Sequence, residues 1–295
     1  MKRALLDLIR NRVLVSDGAW GTFLQQKGLR PGECPELWNV THRDDVLAIA
    51  RSYVEAGADL IETNSFGGSR FKLEKYGLAG QVTELNRAAA AISREAAGDR
   101  VLVLGSVGPT GKMLIMEEVT ADEMYEAFRE QSLALEAGGA DAIIVETMTD
   151  LEEAVLAVRA ARENTRLEVI CTMTFDRLVT ADYRTMMGIS PAEMVQPLLE
   201  AGASIVGTNC GNGMAGMIPV VEEIRRTHPG VPILVHANAG IPLYREGQTV
   251  FPESPEEMAS HVKALLQAGA SIIGGCCGTT PAHIMAIRKA AGYFL

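Results

Sequence analysis

Two adjacent cysteines near the end of the chain, Cys276 and Cys277, are the residues whose type and spacing most clearly indicate chemistry. They follow a short apolar run at residues 271–273 and two glycines, and Pro281 marks the start of a helix soon after. Consecutive strand residues point to opposite faces, so both thiols can serve one site only if the backbone turns there, as the flanking glycines permit. A disulfide between adjacent residues is strained, which disfavours a redox pair. The pair is better suited to a metal ion, provided that the chain supplies a third thiol.

The elements that would position these thiols are apolar β-rich runs alternating with amphipathic helical stretches. We predict strands at residues 13–16, 59–63, 101–105, 142–146, 168–174, 204–208, 232–236 and 271–275. We predict helices at residues 42–56, 81–97, 120–137, 151–163, 190–201, 214–227, 254–268 and 280–292. The strands mostly lack polar alternation, which is typical of parallel strands buried on both faces. Eight such pairs predict an α/β protein with a (β/α)8 TIM barrel, in a single domain over residues 1–295. An open, doubly wound sheet is the alternative.

Helix boundaries carry their own signals. Capping residues precede four of the predicted helices, namely Thr41, Thr120, Ser190 and Ser254, and either Thr279 or Thr280 can cap the last one. A weak internal repeat ends alternate helices with Glu-Ala-Gly or Gln-Ala-Gly, at Gly57, Gly138, Gly202 and Gly269. This repeat favours a barrel built of two-strand units.

In such a barrel the carboxyl ends of the strands meet at one mouth. Cys210 ends the sixth predicted strand and Cys276 and Cys277 end the eighth, so three thiols can converge. Three protein ligands with an open fourth position are typical of catalytic zinc. Three thiolates make zinc poorly suited to activating water, but well suited to binding an incoming thiol and lowering its pKa. The predicted chemistry is alkyl transfer to a thiol, and Cys34 and Cys171 are interpreted as core residues.

Other polar residues at strand ends are candidates for substrate binding. Asp17 and Glu146 could hold the ammonium group of an amino acid, or could instead be cap or loop salt-bridge residues. Asn238 ends the seventh strand, between the two cysteine-bearing strands, and its side-chain oxygen could fill the fourth zinc position when substrate is absent. The remaining predicted substrate-binding residues are Gly18, Asn64 and Ser106.

Composition narrows the class of protein. The chain has 295 residues, 47% of them hydrophobic and 22% charged, which is typical of a soluble globular protein. Its net charge of −10 disfavours nucleic-acid binding, and no apolar run approaches the roughly 20 residues of a membrane helix. Residues 1–12 lack the apolar centre of a signal peptide, and five cysteines in mostly apolar runs suit a reducing compartment. We therefore expect a cytoplasmic protein that binds neither nucleic acid nor membrane.

Six segments at predicted strand ends form recognisable motifs. They are Asp-Gly-Ala-Trp-Gly-Thr at 17–22, Glu-Thr-Asn-Ser-Phe-Gly at 62–67, Gly-Ser-Val-Gly-Pro-Thr-Gly at 105–111, Thr-Asn-Cys at 208–210, Asn-Ala-Gly at 238–240 and Gly-Gly-Cys-Cys-Gly-Thr-Thr-Pro at 274–281. Together they resemble the zinc-dependent homocysteine S-methyltransferase family, and within it most closely the homocysteine-binding barrel of cobalamin-dependent methionine synthase. The resemblance spans nearly the whole chain.

The resemblance implies a function and a set of site residues. It implies homocysteine as acceptor, whose zinc-bound thiolate attacks an activated methyl group to give methionine. The implied zinc ligands are Cys210, Cys276 and Cys277, the implied homocysteine-binding carboxylates are Asp17 and Glu146, and the implied amide ligand of the substrate-free state is Asn238. Residues 182–188 match no pattern of the family, so the acceptor is homocysteine or a related thiol.

The methyl donor is a separate question. Cobalamin-dependent methionine synthases carry folate, corrinoid and reactivation modules after this barrel, whereas this sequence ends at Leu295. We therefore expect methylcobalamin on a separate corrinoid protein that docks over the mouth, which residues 62–66 and 108–111 favour. A small onium donor, S-methylmethionine or betaine, is the alternative.

Two other classes of function remain as alternatives. A phosphate-binding barrel isomerase or aldolase would use Gly274, Gly275 and the N-terminus of the last helix as an anion site. A non-catalytic subunit of a methyl-transfer assembly would bind its partner without turnover. The phosphate-binding enzyme predicts indifference to thiol modification, and the intact three-cysteine set argues against the non-catalytic subunit.

Overall fold

Eight parallel strands form a closed barrel in the computed structural model, which describes residues 5–245 and 247–292. The strands are β1 Leu14–Val15, β2 Leu60–Glu62, β3 Leu102–Val107, β4 Ala142–Met148, β5 Glu168–Met173, β6 Ile205–Gly213, β7 Ile233–Asn238 and β8 Ile272–Gly275. Each strand pairs with the next along the chain, β8 pairs with β1, and a bridge from Ser16 to Leu60 joins β1 to β2. This closure confirms the predicted (β/α)8 barrel and excludes the open sheet. The predicted domain limits, Met1 and Leu295, lie outside the described residues.

A helix follows each strand. The helices are α1 Arg43–Glu55, α2 Val82–Ala97, α3 Ala121–Gly138, α4 Leu151–Asn164, α5 Pro191–Ala201, α6 Met214–Thr227, α7 in two segments Pro255–Ser260 and Val262–Ala268, and α8 Pro281–Ala291. The prediction of one unbroken helix at 254–268 was wrong, since His261 interrupts it. Over residues 5–245 and 247–292, no helix is both long and apolar enough to cross a membrane.

Shorter helices occupy the connections. They are Leu5–Ile9, Gly21–Gln26, Trp38–Thr41 and Arg70–Glu74, with 3-10 turns at Pro35–Leu37, Ala79–Gln81 and Leu114–Met116. Two hairpins stand on the mouth loops after β5 and β7, pairing Asp176–Arg177 with Tyr183–Arg184 and Leu243–Arg245 with Gln248–Val250. The segment at 182–188 therefore forms part of the first hairpin.

Most of the predicted capping signals are confirmed. Thr120, Ser190 and Ser254 each accept a hydrogen bond from the backbone of a glutamate three residues on, and that glutamate bonds back to form a capping box. Thr41 was wrong, because it belongs to the preceding short helix and α1 begins after His42 without a side-chain cap. A threonine in the sequence can therefore cap a helix only if it does not itself belong to the helix before it, as Thr41 does.

Glycines end the helices largely as the repeat predicted. Gly57, Gly202 and Gly269 follow helices in left-handed conformations, with φ between 91° and 113°. The third helix differs by one residue, since Gly138 is its last helical residue and Gly139 adopts the left-handed cap at φ 106°. Gly138 instead permits close packing, because a Cβ there would lie 2.5 Å from the carbonyl oxygen of Arg87 on α2.

Apolar side chains on the two faces of the strands form two separate layers. Val15, Ile61, Val103 and their counterparts pack outward against the helices. The alternate residues fill the lower half of the barrel interior, namely Leu14, Leu60, Leu104, Ala142, Ile144, Ile170, Ile205, Leu234 and Ile272. Leu5, on the helix Leu5–Ile9, packs against this inner layer. Apolar side chains therefore fill the lower half of the barrel interior, and the polar residues lie at the carboxyl ends of the strands.

Candidate metal centre and substrate cavity

Three sulfur atoms converge at the mouth of the barrel. The Sγ atoms of Cys210, Cys276 and Cys277 all lie within 4.8 Å of one another. Tetrahedral zinc with Zn–S bonds of about 2.3 Å holds its sulfur ligands about 3.8 Å apart, so a small closing movement would complete the set. Among the described residues, no other group of three histidine, cysteine or acidic side chains meets this spacing. The cluster therefore fits zinc in both ligand type and separation.

The backbone bends sharply to aim Cys210 at this cluster. Cys210 has φ 59° and Gly211 has φ 70°, both left-handed, and the pairing of β6 with β7 shifts register between Asn209 and Gly213. A left-handed φ is uncommon for a residue with a Cβ, and it costs free energy that the surrounding contacts must supply. The bulge turns the side chain of Cys210 out of the regular alternation of the strand.

The turn that carries the other two thiols is fastened to the neighbouring strand. The backbone N–H of Cys276 donates to the carbonyl of Ala237 at 2.7 Å, and the N–H of Ala239 donates to the carbonyl of Cys277 at 3.0 Å. Gly278 follows with φ 80°. This turn is the departure from strand geometry that two adjacent cysteines need in order to share one site.

Thr279 ties the cysteine turn to the first strand. Its buried hydroxyl donates to the carbonyl of Cys276 at 2.7 Å and accepts from the N–H of Ala19 at 3.0 Å. A Cβ on Gly18 or on Gly275 would lie 2.6 Å or 2.3 Å from this hydroxyl oxygen, so both glycines are needed for the close approach. The capping position of α8 belongs to Thr280.

The same packing disfavours an anion site at the start of α8. The space beside Gly275 is filled by Thr279, and a Cβ on Gly274 would lie 2.8 Å from side-chain atoms of Ser16 and His236. The N–H of Thr280, which would bind an anion, donates instead to Nδ1 of His283 at 3.2 Å. The alternative of a phosphate-binding barrel enzyme therefore finds no support here.

Hydrogen bonds within the thiol cluster concentrate negative charge on one sulfur. Bonds from Cys276 and Cys277 lower the pKa of Cys210, while the bond to Cys210 raises the pKa of Cys276 and raises that of Cys277 to about 12. A metal ion bound by all three sulfurs must displace the remaining protons, so metal affinity should increase with pH.

Asn238 completes the surroundings of the cluster. Its side chain is 2% exposed and hydrogen-bonds to the sulfur of Cys210. Its Oδ1 has no hydrogen-bond partner within the described residues, which is costly for a buried carbonyl oxygen. An oxygen ligand beside three sulfurs is acceptable to zinc, so the donor set fits the predicted fourth ligand.

A cavity of about 280 Å³ opens beside the three sulfurs. Its wall contains most of the predicted site residues, namely Gly18, Asn64, Ser106, Glu146, Cys210, Cys276 and Cys277. Asp17 and Asn238 do not line it but are buried directly behind the wall. The structure thus brings the predicted residues together at the cavity. Seven of them line its wall, and Asp17 and Asn238 are buried behind the wall.

Glu146 is a buried carboxylate in the cavity wall. It accepts hydrogen bonds from the hydroxyl of Ser106 and, at 3.4 Å, from Nδ2 of Asn209. Burial raises the pKa of Glu146 well above its usual range, and the charge of Glu62 raises it further. A cation placed in the cavity would reverse this effect, so the carboxylate is suited to receive an ammonium group.

The carboxylate of Asp17 already accepts three hydrogen bonds from other groups of the protein. Its Oδ2 accepts from the indole N–H of Trp20 at 2.9 Å and from the backbone N–H of Glu62 at 2.8 Å, and its Oδ1 accepts from Ser16 at 3.2 Å. Burial raises its pKa to about 7, and the nearby Glu62 adds to the rise. A role in binding the substrate ammonium stays a prediction for Asp17, since its oxygens already hold the segment after β1 to β2.

Asn64 also makes well-defined contacts with protein groups. Its Nδ2 donates to the carbonyl of Pro35 at 2.8 Å and to Oδ1 of Asn39 at 3.0 Å. These bonds hold the segment around the 3-10 turn Pro35–Leu37 against the cavity, which Pro35 and Glu36 also line. Direct contact between the Asn64 side chain and substrate stays a prediction.

Glu62 was not among the predicted site residues, although it begins one of the six motif segments. It lines the cavity, and its Oε1 lies 3.3 Å from Nδ1 of His236, close enough for an ion pair but not aligned as a hydrogen bond. Burial raises the pKa of Glu62 to about 8 and lowers that of His236. Glu62 is therefore a second carboxyl group available to a cationic substrate.

Replacing Glu62 with glutamine should make the metal-free protein more stable than wild type, by a margin that increases with pH. Glu62 has a raised folded-state pKa, so between its usual 4.5 and about 8 the unfolded chain releases a proton that the folded chain keeps. Wild type thus loses stability with rising pH, at up to about 1.4 kcal/mol per unit, and the glutamine variant lacks this loss. Urea unfolding of both proteins from pH 6 to pH 8 measures the margin. A margin independent of pH would mean that burial does not hold the proton on Glu62.

Comparison with known proteins relates this site to a family. The family model described as homocysteine S-methyltransferase matches residues 14–291. Methionine synthases of Mycobacterium tuberculosis and Mycobacterium leprae are 35% and 33% identical over 97% of this chain, which spans about a quarter (25%) of their length. The homocysteine methyltransferase MmuM from Escherichia coli, in its metallated form, superimposes with a TM-score of 0.78 at 22% identity, over 97% of this chain and 98% of that one. The carboxyl transferase domain of Rhizobium etli pyruvate carboxylase gives a TM-score of 0.56 at 19% identity, over 97% and 48%. These two structures share the barrel fold, and the family match extends over nearly the whole of it: the chain belongs to the homocysteine S-methyltransferase family.

Proposed function

We propose that this chain transfers a methyl group to the thiol of homocysteine, giving methionine, at a zinc ion held by Cys210, Cys276 and Cys277. The observation that carries the proposal is the meeting of three sulfurs within 4.8 Å beside a cavity with a buried carboxylate. In the reaction the acceptor thiol releases its proton to solvent, a new carbon–sulfur bond forms, the bond between the methyl group and its donor breaks, and the donor keeps the electron pair. Zinc bound by three thiolates would lower the pKa of the acceptor thiol while leaving its sulfur nucleophilic.

The residues of the chain bind and orient the acceptor. Oδ1 of Asn238, which is buried without a hydrogen-bond partner among the described residues, would serve as the fourth ligand of the zinc ion in the absence of the acceptor. Glu146, held by Ser106, receives the ammonium group, and Glu62 adds a second acidic group to the cavity wall. A cavity of about 280 Å³ suits a small amino acid, since pockets for larger drug-sized ligands begin at about this volume.

For the donor, we propose methylcobalamin carried by a separate corrinoid protein that docks over the mouth. The support is an apolar rim, which we define as the exposed large apolar side chains on the loops after β2, β3, β5 and β7. Its members are Phe66, Tyr76, Met113, Ile115, Met116, Leu178, Val179, Met186, Met187, Ile241, Leu243, Tyr244 and Val250. Exposed apolar groups gathered on one face mark a docking surface, and flexible methionines adapt to a partner.

The five cysteines are free thiols, in keeping with a cytoplasmic location.

A donor panel tests this proposal. Purified zinc-loaded protein is supplied with homocysteine and, in separate reactions, with free methylcobalamin, a methylated corrinoid protein, S-methylmethionine or betaine. We expect methionine to form fastest with the corrinoid protein. Turnover with an onium compound alone would overturn the choice of donor, and absence of methionine with every donor would overturn the proposed activity.

A variant of the apolar rim separates docking from chemistry. Ile115 is 73% exposed, so replacing it with glutamate should leave the fold intact. We expect Ile115→Glu to raise the KM for the corrinoid protein by about 10-fold, a loss of about 1.4 kcal/mol, because a charge would face an apolar partner. Turnover with free methylcobalamin should stay unchanged. Equal loss with both donors would contradict docking on this rim.

A further inference from the structure

The carboxamide of Asn209 lies between the two ends of the candidate site. It is fully buried on β6, directly before Cys210, and its neighbours come from β4, β5 and the cysteine turn. We propose that Asn209 is a positioning residue that fixes Glu146 and the thiol cluster relative to each other, an inference that rests on the proposed function of that site. Coupling of this kind would set the distance between the ammonium and the sulfur of the acceptor.

The hydrogen bonds of Asn209 use both atoms of its carboxamide. Oδ1 accepts from the backbone N–H of Thr147 and from the hydroxyl of Thr172, each at 2.8 Å. Nδ2 donates to the hydroxyl of Thr147 at 2.7 Å and to Oε2 of Glu146 at 3.4 Å, and it lies 4.0 Å from Sγ of Cys276. One rigid planar group therefore touches the ammonium-binding carboxylate and one of the thiols.

Two unusual backbone conformations flank this carboxamide. Thr147, next to Glu146, has φ 60°, and Cys210, next to Asn209, has φ 59°. Left-handed φ is a genuine outlier for a β-branched residue and uncommon for cysteine, so each must be held by its surroundings. Asn209 holds Thr147 through two hydrogen bonds, and its own carbonyl accepts from the hydroxyl of Thr174 at 2.9 Å. The register shifts in β4 and β6 thus meet at one side chain.

Three alternative side chains fail these requirements at this position. Aspartate would lose both donated hydrogen bonds and would place a second carboxylate against Glu146. Glutamine adds a methylene group where the side chain has no exposed surface. Alanine leaves the N–H of Thr147 and the hydroxyl of Thr172 without this partner. The site therefore depends on a carboxamide of this length.

The test compares Asn209→Ala with Asn212→Ala. Asn212 is a matched control on the same strand, since it is also buried and donates one bond, to the carbonyl of Phe175 at 2.7 Å, without touching Glu146 or Thr147. Zinc affinity is measured by competition with a chromophoric chelator, the site geometry by the visible absorption of the cobalt(II)-substituted protein, and acceptor binding by the homocysteine KM and kcat. The first two measurements require no turnover, so they remain informative even if the proposed function fails.

We expect Asn209→Ala to weaken zinc binding by about 10- to 100-fold, as loss of an outer partner typically does, and to alter the cobalt(II) spectrum. We expect the homocysteine KM to rise by a similar factor, while Asn212→Ala changes neither quantity by more than about 3-fold. The coupling would be overturned if Asn209→Ala changed only the zinc affinity or only the homocysteine KM. It would also be overturned if Asn209→Ala and Asn212→Ala had equal effects. If Asn209→Ala does not fold, Thr172→Val removes one bond to Asn209 at nearly constant volume, and both quantities should shift in the same direction by a smaller factor.

Discussion

Replacing Cys276 with alanine is expected to abolish zinc binding and methyl transfer together. The variant keeps only two of the three sulfurs in the cluster, and two sulfur ligands fall below the three protein ligands that are typical of a catalytic zinc site. Zinc content, measured after dialysis, should fall from about one ion per chain to near zero. Methyl transfer should fall by about 1000-fold or more, beyond the 10- to 100-fold loss typical when only an outer partner is removed.

Cys34→Ser is the matched control for this experiment. Cys34 is buried near the mouth and donates through its thiol to Oε2 of Glu36 at 3.3 Å, but it does not belong to the three-sulfur cluster. A serine hydroxyl can make the same donation, so zinc content and activity should remain at the wild-type level. An active Cys276→Ala protein that contains no zinc would refute the assignment of the metal centre.

The barrel was predictable because its signals are local and repeated. Continuous apolar runs such as residues 142–146 identify strands buried on both faces, and capping boxes such as that of Thr120 identify helix starts. Once the strands are known to be parallel, closure of the barrel brings the ends of β6 and β8 to the same mouth. The convergence of Cys210 with Cys276 and Cys277 follows from that topology, which is why it could be predicted without coordinates.

The finer arrangement of the site could not be predicted, because it depends on contacts between distant segments. Nothing in the sequence near Asp17 indicates that its oxygens are taken by Trp20 and the backbone of Glu62. The left-handed conformations of Thr147 and Cys210 arise where β4, β5 and β6 meet, so no local turn signal announces them. Glu62 and Asn209 lay inside recognisable motifs, but their roles appear only when side-chain directions are known.

Replacing Glu146 with glutamine is expected to lower kcat/KM for homocysteine by about 100-fold. Glutamine keeps an acceptor for the Ser106 hydroxyl but removes the charge that would pair with a buried ammonium, and hydrogen bonds to charged groups contribute about 3 kcal/mol in such places. The loss should fall mainly on KM, because the ammonium lies away from the reacting sulfur. Glu153→Gln is the control, since Glu153 is also buried and holds Thr110 at 2.6 Å and 2.7 Å but does not line the cavity.

A substrate without the amino group makes the test specific to the proposed contact. With 4-mercaptobutanoate, which is homocysteine lacking its ammonium, wild type and Glu146→Gln should differ by less than about 3-fold, because neither protein can form the ion pair. For wild type, kcat/KM should be lower with this analogue than with homocysteine by about 100-fold. That is the same factor by which Glu146→Gln lowers kcat/KM for homocysteine. If Glu146→Gln were equally impaired with both thiols, Glu146 would act on the thiol end of the site, and another group, with Glu62 the nearest candidate in the wall, would bind the ammonium.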